Sequence, residues 1–225
     1  MIITYRGHVM LEVKNSYLKL TLLLIVLFIS MILGMYVYQH AHSKTTQQVD
    51  LIHATYVQPG RVLTPFQLQK TDGTTLSPAT LAGHWSILFF GYTQCRSICP
   101  TTMDMLHKVY VQLRKDQVKT LPEMVMVSLD GQRDSLEVMN QYVKAFDPDF
   151  RGAIGPMKTI QGLTQELGVV YDDSQVSRPD GQIDHSGSLT VVNPAGEVVA
   201  FFIPPMQAMD VAKDLETLMN TFQMN

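Results

Sequence analysis

Apolar residues follow two different patterns along the chain, one continuous run near the N-terminus and a series of short runs after it. Residues 20–37 include no charged side chain over 18 positions, about the length that an α-helix needs to cross the hydrocarbon core of a bilayer. We therefore predict a membrane-anchoring helix over residues 18–38, preceded by an N-terminal segment of residues 1–17 and followed by a polar linker of residues 39–56.

Basic residues are distributed unevenly on the two sides of this run. Arg6, Lys14 and Lys19 precede it, whereas only Lys44 follows closely. By the positive-inside rule, residues 1–17 stay in the cytoplasm and the rest of the chain is exported. The run is longer than the apolar region of a usual signal peptide, which favours an uncleaved anchor over cleavage near residues 41–43. Because the leader is not of the Arg- and Ser-rich mitochondrial type, we predict a single-pass bacterial inner-membrane protein with a periplasmic C-terminal domain.

The rest of the chain, residues 57–225, alternates between short apolar runs and segments with helical periodicity. The predicted strands cover residues 66–68 and 74–76 as a hairpin, then 85–92, 123–129, 151–155, 188–192 and 197–203. The predicted helices cover residues 100–115, 135–146, 157–167 and 206–219. Strands and helices that alternate and then end in a hairpin and a helix are typical of a thioredoxin-like order. We therefore predict a thioredoxin-like α/β domain with a central mixed sheet.

The two cysteines of the chain lie close together in the sequence GYTQCRSICP, where the strand 85–92 gives way to a helix. Cys95 and Cys99 are separated by three residues, so both sulfurs can lie on one side of a helical turn. Such a dithiol can bind a soft metal ion or cycle through a disulfide. A purely structural disulfide would close too short a loop to add much stability. The start of the helix and the charge of Arg96 both favour a thiolate.

A third ligand for a metal ion is offered by His185, in the sequence QIDHSGSLTV. This histidine immediately precedes a predicted strand that would return toward the edge of the sheet where the cysteines lie. Two thiolates and one imidazole suit copper, whereas zinc more usually takes a fourth protein ligand. Spacing alone leaves two interpretations open, a metal ligand and an ordinary surface or core histidine.

The charge balance argues against some classes of partner. The chain has a formal net charge of −3 at pH 7, and acidic residues outnumber basic residues from Thr45 onward. The sequence has neither a basic stripe nor an aromatic platform for bases. We therefore expect no nucleic-acid partner, and we expect contact with the membrane only through the anchor helix.

Three motifs in a fixed order make the chain resemble the Sco/SenC family: GYTQCRSICP, then SLDGQRD at residues 128–134, then IDHSGSLTVVNPAG at residues 183–196. Together with the anchor helix, the resemblance covers nearly the whole chain. It implies a membrane-tethered, thioredoxin-like protein that binds copper through Cys95, Cys99 and His185. It also implies a role in assembling the binuclear copper centre of cytochrome c oxidase.

The resemblance further implies a set of polar residues that support the copper ligands. Asp130, Arg133 and Asp134 match the second motif, and we expect them near the site, although Asp134 could equally cap the following helix. Asp184, the neighbour of His185, is added to this supporting shell because it lies at the entrance of the same strand.

The chain departs from the family pattern within two of the motifs. The family commonly has proline and aspartate between the cysteines, where this chain has Arg96 and Ser97, and Gly131 replaces a proline of the second motif. A fixed positive charge in place of an acidic residue makes the site less favourable for a cation. The same change lowers the pKa of the thiols and favours thiol exchange.

Two functions from different classes are therefore expected. The first is a metallochaperone that delivers copper, as Cu(I) or Cu(II), to the copper-centre subunit of cytochrome c oxidase. The second is a thiol:disulfide oxidoreductase that keeps the copper-site cysteines of that subunit reduced. In that case Cys95 and Cys99 are the catalytic redox dithiol, with Cys95 as the attacking thiol. Other periplasmic copper chaperones or thiol reductants are further expected partners.

Overall fold

The computed structural model describes residues 3–42, 49–172 and 181–223, and the chain divides into two compact units, Met1–Gln47 and Gln48–Asn225. The described part of the first unit is one helix, α1 (Ile3–His42). Within it, Lys19–Tyr38 is a 20-residue stretch with a mean hydropathy of 2.7, none of it buried. By length and composition this helix can cross a membrane. The predicted helix 18–38 lies within α1, and residues 43–48 of the predicted linker lie outside the described residues.

The second unit is built around a mixed β-sheet. Its strands in chain order are β1 (Thr55–Val62), β2 (Leu68–Lys70), β3 (Thr75–Leu76), β4 (Ser86–Gly91), β5 (Glu123–Ser128), β6 (Arg151–Ile154), β7 (Tyr171–Asp172), β8 (Asp184–His185), β9 (Leu189–Val192) and β10 (Glu197–Phe202). Eight of these strands form one sheet in the order β1-β10-β9-β4-β5-β6-β2-β3, and β7 pairs with β8 in a separate two-stranded sheet.

Five helices accompany the sheet in the described part of this unit. They are α2 (Pro78–Leu81), α3 (Ile98–Lys115), α4 (Leu136–Phe146), α5 (Met157–Leu167) and α6 (Ala208–Gln223). Strands β4, β5 and β6 pair in parallel, and α3 and α4 provide the two crossovers that parallel pairing requires. All six residues of β4 are buried, as expected for a central strand of a parallel sheet covered on both faces.

The position of the functional site follows from the pairing of β9 with β4. The two strands are antiparallel, with Leu189 opposite Phe89 and Val192 opposite Ser86. The residues just before β9 are therefore brought to the carboxyl end of β4. The cysteine segment starts at the same end, so two parts of the chain that are about 90 residues apart in sequence meet there.

The predicted α/β order with a central mixed sheet is confirmed, and several details differ. Strand β1 was not predicted, because Pro59 and Gly60 interrupt its pattern and most of its side chains are exposed. A proline is tolerated there because β1 lies at the edge of the sheet. The short elements α2, β7 and β8 were not predicted either. Helix α3 begins at Ile98, two residues before Pro100, and this proline still lies in the first turn, where its missing N–H costs nothing.

An ion pair between a buried carboxylate and a partly exposed arginine links α3 to the end of α4. Asp147, 1% exposed, accepts two hydrogen bonds from the Arg114 guanidinium, at 2.9 Å and 2.8 Å. It also accepts one from the Asp149 N–H and lies 3.1 Å from the His107 ring. Burial acts to raise the pKa of Asp147, but these contacts outweigh it and lower the pKa to about 2.

Replacing Asp147 with asparagine is expected to lower the free energy of unfolding at pH 7 by about 2 kcal/mol, because the hydrogen bonds from Arg114 lose their charged acceptor. The carboxyl pKa is about 2 in the fold and about 3.9 in the unfolded chain, so its stabilisation is complete above pH ~4 and is lost as the pH falls through ~2. Asp147→Asn should therefore flatten the acid dependence in that interval. Urea unfolding followed by the fluorescence of Trp85, the single tryptophan, measures both effects.

Asp149→Asn is the matched control, because the Asp149 carboxylate also binds Arg114, at 2.7 Å, but is 58% exposed. An exposed pair of this kind contributes only about 0–1 kcal/mol. Equal losses in the two variants would contradict the assignment of the stabilisation to Asp147.

Candidate metal centre

The cysteine segment lies between the end of β4 and the start of α3. Cys95 precedes the helix, and its N–H donates to the Tyr92 carbonyl at 3.3 Å. The side chain of Ser97, at the N-cap position of α3, makes no capping hydrogen bond. Instead, the Cys95 sulfur accepts a hydrogen bond from the Cys99 N–H at 3.4 Å. Because the first N–H groups of a helix have no partner within the helix and carry partial positive charge, this contact stabilises a thiolate at Cys95.

Cys99 is held in the core by the helical pattern of α3. It shares the buried face of the helix with Met103, Leu106 and Tyr110, and it is 0% exposed. Its sulfur fits against β4 because Gly91 has no side chain. A Cβ at Gly91 would lie only 2.8 Å from the Cys99 sulfur. The two cysteines therefore differ in access, since Cys95 is half-buried and Cys99 is buried.

His185 approaches both sulfurs from the opposite side of the site. It lies at the end of β8, just before β9, and its Nε2 atom is 3.1 Å from the Cys99 sulfur and 3.8 Å from the Cys95 sulfur. The candidate ligand atoms of the three residues all lie within 4.8 Å of one another. The structure therefore brings together the two cysteines and the histidine that the sequence analysis singled out.

The second ring nitrogen of His185 determines which tautomer faces the sulfurs. Nδ1 lies 3.2 Å from the Ser186 carbonyl oxygen, which can only accept a hydrogen bond. This contact favours a proton on Nδ1 and leaves the lone pair of Nε2 directed toward the cysteines. A neutral imidazole with a free Nε2 lone pair is the form that binds a metal ion.

The pKa values of the two thiols are shifted in opposite directions. The pKa of Cys95 is lowered to about 3, chiefly by the hydrogen bond with the Cys99 side chain, with partial burial opposing this effect and backbone N–H groups adding to it. The pKa of Cys99 is raised, because its proton is held by the Cys95 sulfur and because it is buried. In the metal-free protein, Cys95 thus ionises much more readily than Cys99.

Two of the predicted supporting residues contact the cysteine segment directly. Asp134 is 5% exposed and accepts hydrogen bonds from the hydroxyl and the N–H of Thr93 and from the Ser128 hydroxyl. Burial raises the pKa of Asp134. Arg133 donates to the Gly181 carbonyl at 2.9 Å and to the Gln94 side chain at 3.4 Å. These two residues thus hold the turn that leads from β4 to Cys95.

The other two predicted supporting residues act less directly. Asp130, 2% exposed, binds the Arg133 guanidinium and its backbone N–H, so it orients Arg133. Asp184 is exposed on β8, opposite Asp172. Side chains alternate along a strand, so Asp184 and His185 face opposite sides. Among the described residues, no hydrogen bond links the Asp184 carboxylate to the site, and its supporting role stays a prediction.

Tyr92 and Gln182 were not predicted as site residues, yet they connect the cysteine segment with the segment that carries His185. The Tyr92 hydroxyl donates to the Gln182 side-chain oxygen at 2.9 Å, and the Tyr92 and His185 ring centroids lie 6.0 Å apart in an edge-to-face arrangement. Gln182 accepts a further hydrogen bond from the Arg96 N–H at 3.4 Å. The sequence signal for Tyr92 was its position at the polar end of a buried strand, whereas nothing in the sequence marked Gln182 as a site residue.

The sequence of this chain is similar to proteins of one known family. The SCO1/SenC family pattern matches residues 54–220. A SCO2-like protein of Rickettsia prowazekii is 28% identical over 149 residues, which are 65% of this chain and 72% of that protein. Residues 54–220, which match the family pattern, contain all of the residues described above as parts of the site.

Solved structures are similar to this chain as well. Arabidopsis thaliana ScoI with copper bound has a TM-score of 0.62 and 27% identity, covering 68% of this chain and 97% of that chain. Bradyrhizobium japonicum ScoI with copper bound has a TM-score of 0.60 and 27% identity, covering 69% of this chain and 98% of that chain. Both of these relatives hold copper.

Proposed function

This chain belongs to the SCO1/SenC family, and from that membership we propose that it carries copper on Cys95, Cys99 and His185 and delivers it during assembly of cytochrome c oxidase. The observation that supports the proposal is the meeting of two sulfurs and one imidazole nitrogen within 4.8 Å at the carboxyl end of β4. Soft thiolates together with imidazole favour copper over hard cations such as Mg²⁺ and Ca²⁺.

The donor set also fits an ion that must be released again. Three protein ligands suit copper, and an ion held by three ligands keeps an open side toward an incoming ligand. Cys95 is half-buried, so a thiolate of the recipient can approach the ion from the side of Cys95 while Cys99 and His185 still bind the ion. Transfer then proceeds by exchange of ligands, without a step in which the ion is free in water.

We further propose that α1 keeps this centre at the membrane where the oxidase is assembled. The basic residues before its apolar stretch support an N-terminus in the cytoplasm and a domain in the periplasm of a bacterial inner membrane. The copper-centre subunit of the oxidase is the proposed recipient, and periplasmic copper chaperones or thiol reductants are the proposed donors of copper and electrons.

A transfer assay tests the proposal. The full-length chain, reduced and held in detergent micelles, should bind one copper ion and give it to a copper-free soluble domain of the oxidase copper-centre subunit. The expected result is that the optical signature of the binuclear centre appears in the recipient, and only with the copper-loaded chain. A chain that binds no copper, or that keeps all of it in the presence of the recipient, would overturn the proposal.

A second candidate function is reduction of the recipient's disulfide, and the thiolate state of Cys95 favours it. In this reaction the Cys95 thiolate attacks one sulfur of the target disulfide and releases the other as a thiolate. The Cys99 sulfur then gives up its proton and attacks Cys95, which completes the reduced target and leaves a Cys95–Cys99 disulfide. Reduction of the oxidised recipient domain with a copper chelator present would establish this activity.

A further inference from the structure

We propose that Tyr92 is a positioning residue that sets the place of the His185 imidazole relative to the two cysteines. The inference builds on the proposed copper function, because it concerns how the same site holds its ion. It rests on two sets of contacts. The Tyr92 backbone contacts the cysteine segment, and the Tyr92 hydroxyl contacts the segment that carries His185.

The backbone of Tyr92 contacts the segment that carries the two cysteines. Tyr92 directly follows β4, and its carbonyl accepts the Cys95 N–H at 3.3 Å. Because β4 is the fully buried central strand, this residue is fixed in place by the core of the domain.

The hydroxyl of Tyr92 contacts the segment that carries His185. It donates to the Gln182 side-chain oxygen at 2.9 Å and accepts the Ile183 N–H at 3.0 Å, so its donor and one acceptor position are both used. Tyr92 is 0% exposed and Ile183 is 3% exposed. The Ile183 N–H therefore has no access to water that could replace the tyrosine oxygen, and losing this bond leaves a buried donor without a partner. His185 lies only two residues further along the chain.

Arg133 reinforces the same arrangement from a third segment. Its guanidinium lies over the Tyr92 ring, 5.6 Å from the ring centroid, and it donates to the Gly181 carbonyl at 2.9 Å. Residues 181–183 are thus attached at one end by Arg133 and at the other by Tyr92. The Tyr92 ring also stands edge-on to the His185 ring, so the tyrosine contacts both the backbone that carries the imidazole and the imidazole itself.

This arrangement matters because a ligand held in place before the ion arrives strengthens binding. Partners that orient a metal-binding histidine typically contribute about 10–100-fold to metal affinity. Tyr92→Phe removes only the hydroxyl and keeps the ring that faces Arg133 and His185. We expect this substitution to weaken Cu(II) binding by about 10–100-fold in the full-length chain, measured by competition with a chelator of known affinity.

A double-mutant comparison separates positioning from general destabilisation. If Tyr92 acts through His185, the loss caused by Tyr92→Phe should vanish in chains that already carry His185→Ala. Tyr110→Phe is the matched control, because Tyr110 is also buried and its hydroxyl donates to the Pro122 carbonyl, in a contact that does not involve the metal centre. This control should retain the copper affinity of the unsubstituted chain.

Hydrogen exchange in the copper-free chain gives a second, independent readout. The Ser186 N–H donates to the Val170 carbonyl at 2.9 Å, a bond that Tyr92→Phe does not remove directly. Its exchange should nevertheless accelerate by about tenfold in Tyr92→Phe, because one buried hydrogen bond of the segment is lost, and it should not change in Tyr110→Phe.

The outcomes distinguish the two proposals. Unchanged copper affinity in Tyr92→Phe, or an equal loss in the His185→Ala background, would overturn the positioning role. If the unsubstituted chain binds no copper, the proposed function fails, and Ser186 exchange alone decides whether Tyr92 holds the His185 segment. Unchanged exchange would then overturn the inference.

Discussion

Replacing His185 with alanine is expected to weaken Cu(II) binding by on the order of a thousand-fold, well beyond the 10–100-fold that loss of an outer partner costs. The imidazole is the only nitrogen donor among the three converging side chains. Cu(I) binding should fall less, because the two soft sulfur ligands remain. Chelator competition for each oxidation state, together with the thiolate-to-copper absorption bands of the Cu(II) form, measures the two effects.

His84→Ala provides the control for this experiment. His84 is also partly exposed, but it pairs with Glu123 at 3.2 Å and contacts neither cysteine. Its removal should leave the copper affinity and the absorption bands unchanged. If His185→Ala kept both properties of the unsubstituted chain, the imidazole would not be a ligand, and a copper site made of two cysteines alone would replace the proposal.

The second large effect concerns how the reactivity of the cysteines depends on pH. With a pKa of about 3, Cys95 is already a thiolate at pH 5, so its rate of alkylation by iodoacetamide should change less than about twofold between pH 5 and pH 8. An ordinary thiol, with a pKa of about 8.5, would react several hundred-fold faster at pH 8 than at pH 5. Cys99 should stay unmodified in the folded chain, because it is buried and protonated.

Two substitutions of Cys99 test the cause of this low pKa. Cys99→Ala removes the hydrogen-bond donor that contributes most to it, so the alkylation rate of Cys95 should again rise with pH. Cys99→Ser keeps a donor at the same position and should show a smaller change. Mass spectrometry of the alkylated peptides at several pH values gives these rates. A steep pH profile in the unsubstituted chain would exclude a thiolate at Cys95 below neutral pH.

Much of the fold could be predicted because its strands and helices have strong periodic patterns. Strand β4 is a continuous apolar run, and α3 repeats its apolar residues at helical spacing from Cys99 to Leu113. Strand β1 lacks such a pattern because an edge strand is largely exposed and contains Pro59. The two-residue strands β7 and β8 are too short for any periodicity to be visible.

The candidate site could be predicted only in part, for a related reason. Cys95, Cys99 and His185 are chemically distinctive residues in recognisable motifs, so the sequence singles them out. The roles of Tyr92 and Gln182 could not be predicted, because they depend on the antiparallel pairing of β9 with β4, which brings residues 181–185 to the cysteine turn. A sequence does not state which backbone N–H a tyrosine hydroxyl will meet. The role of Asp184 stays a prediction, because its neighbour His185 faces the opposite side of the strand.

The close fit of Cys99 against Gly91 has a consequence for oxidative damage. A Cβ at Gly91 would lie 2.8 Å from the Cys99 sulfur and 3.0 Å from the Met126 methyl group, so any larger residue there would displace the buried thiol. Because Cys99 is buried and Cys95 is half-buried, peroxide reaches Cys95 first and forms a sulfenic acid there. Cys99, a few ångströms away, converts that product into a disulfide before further oxidation to the irreversible sulfinic form. By leaving space for the Cys99 sulfur, Gly91 thus keeps the resolving thiol buried beside the cysteine that is oxidised first.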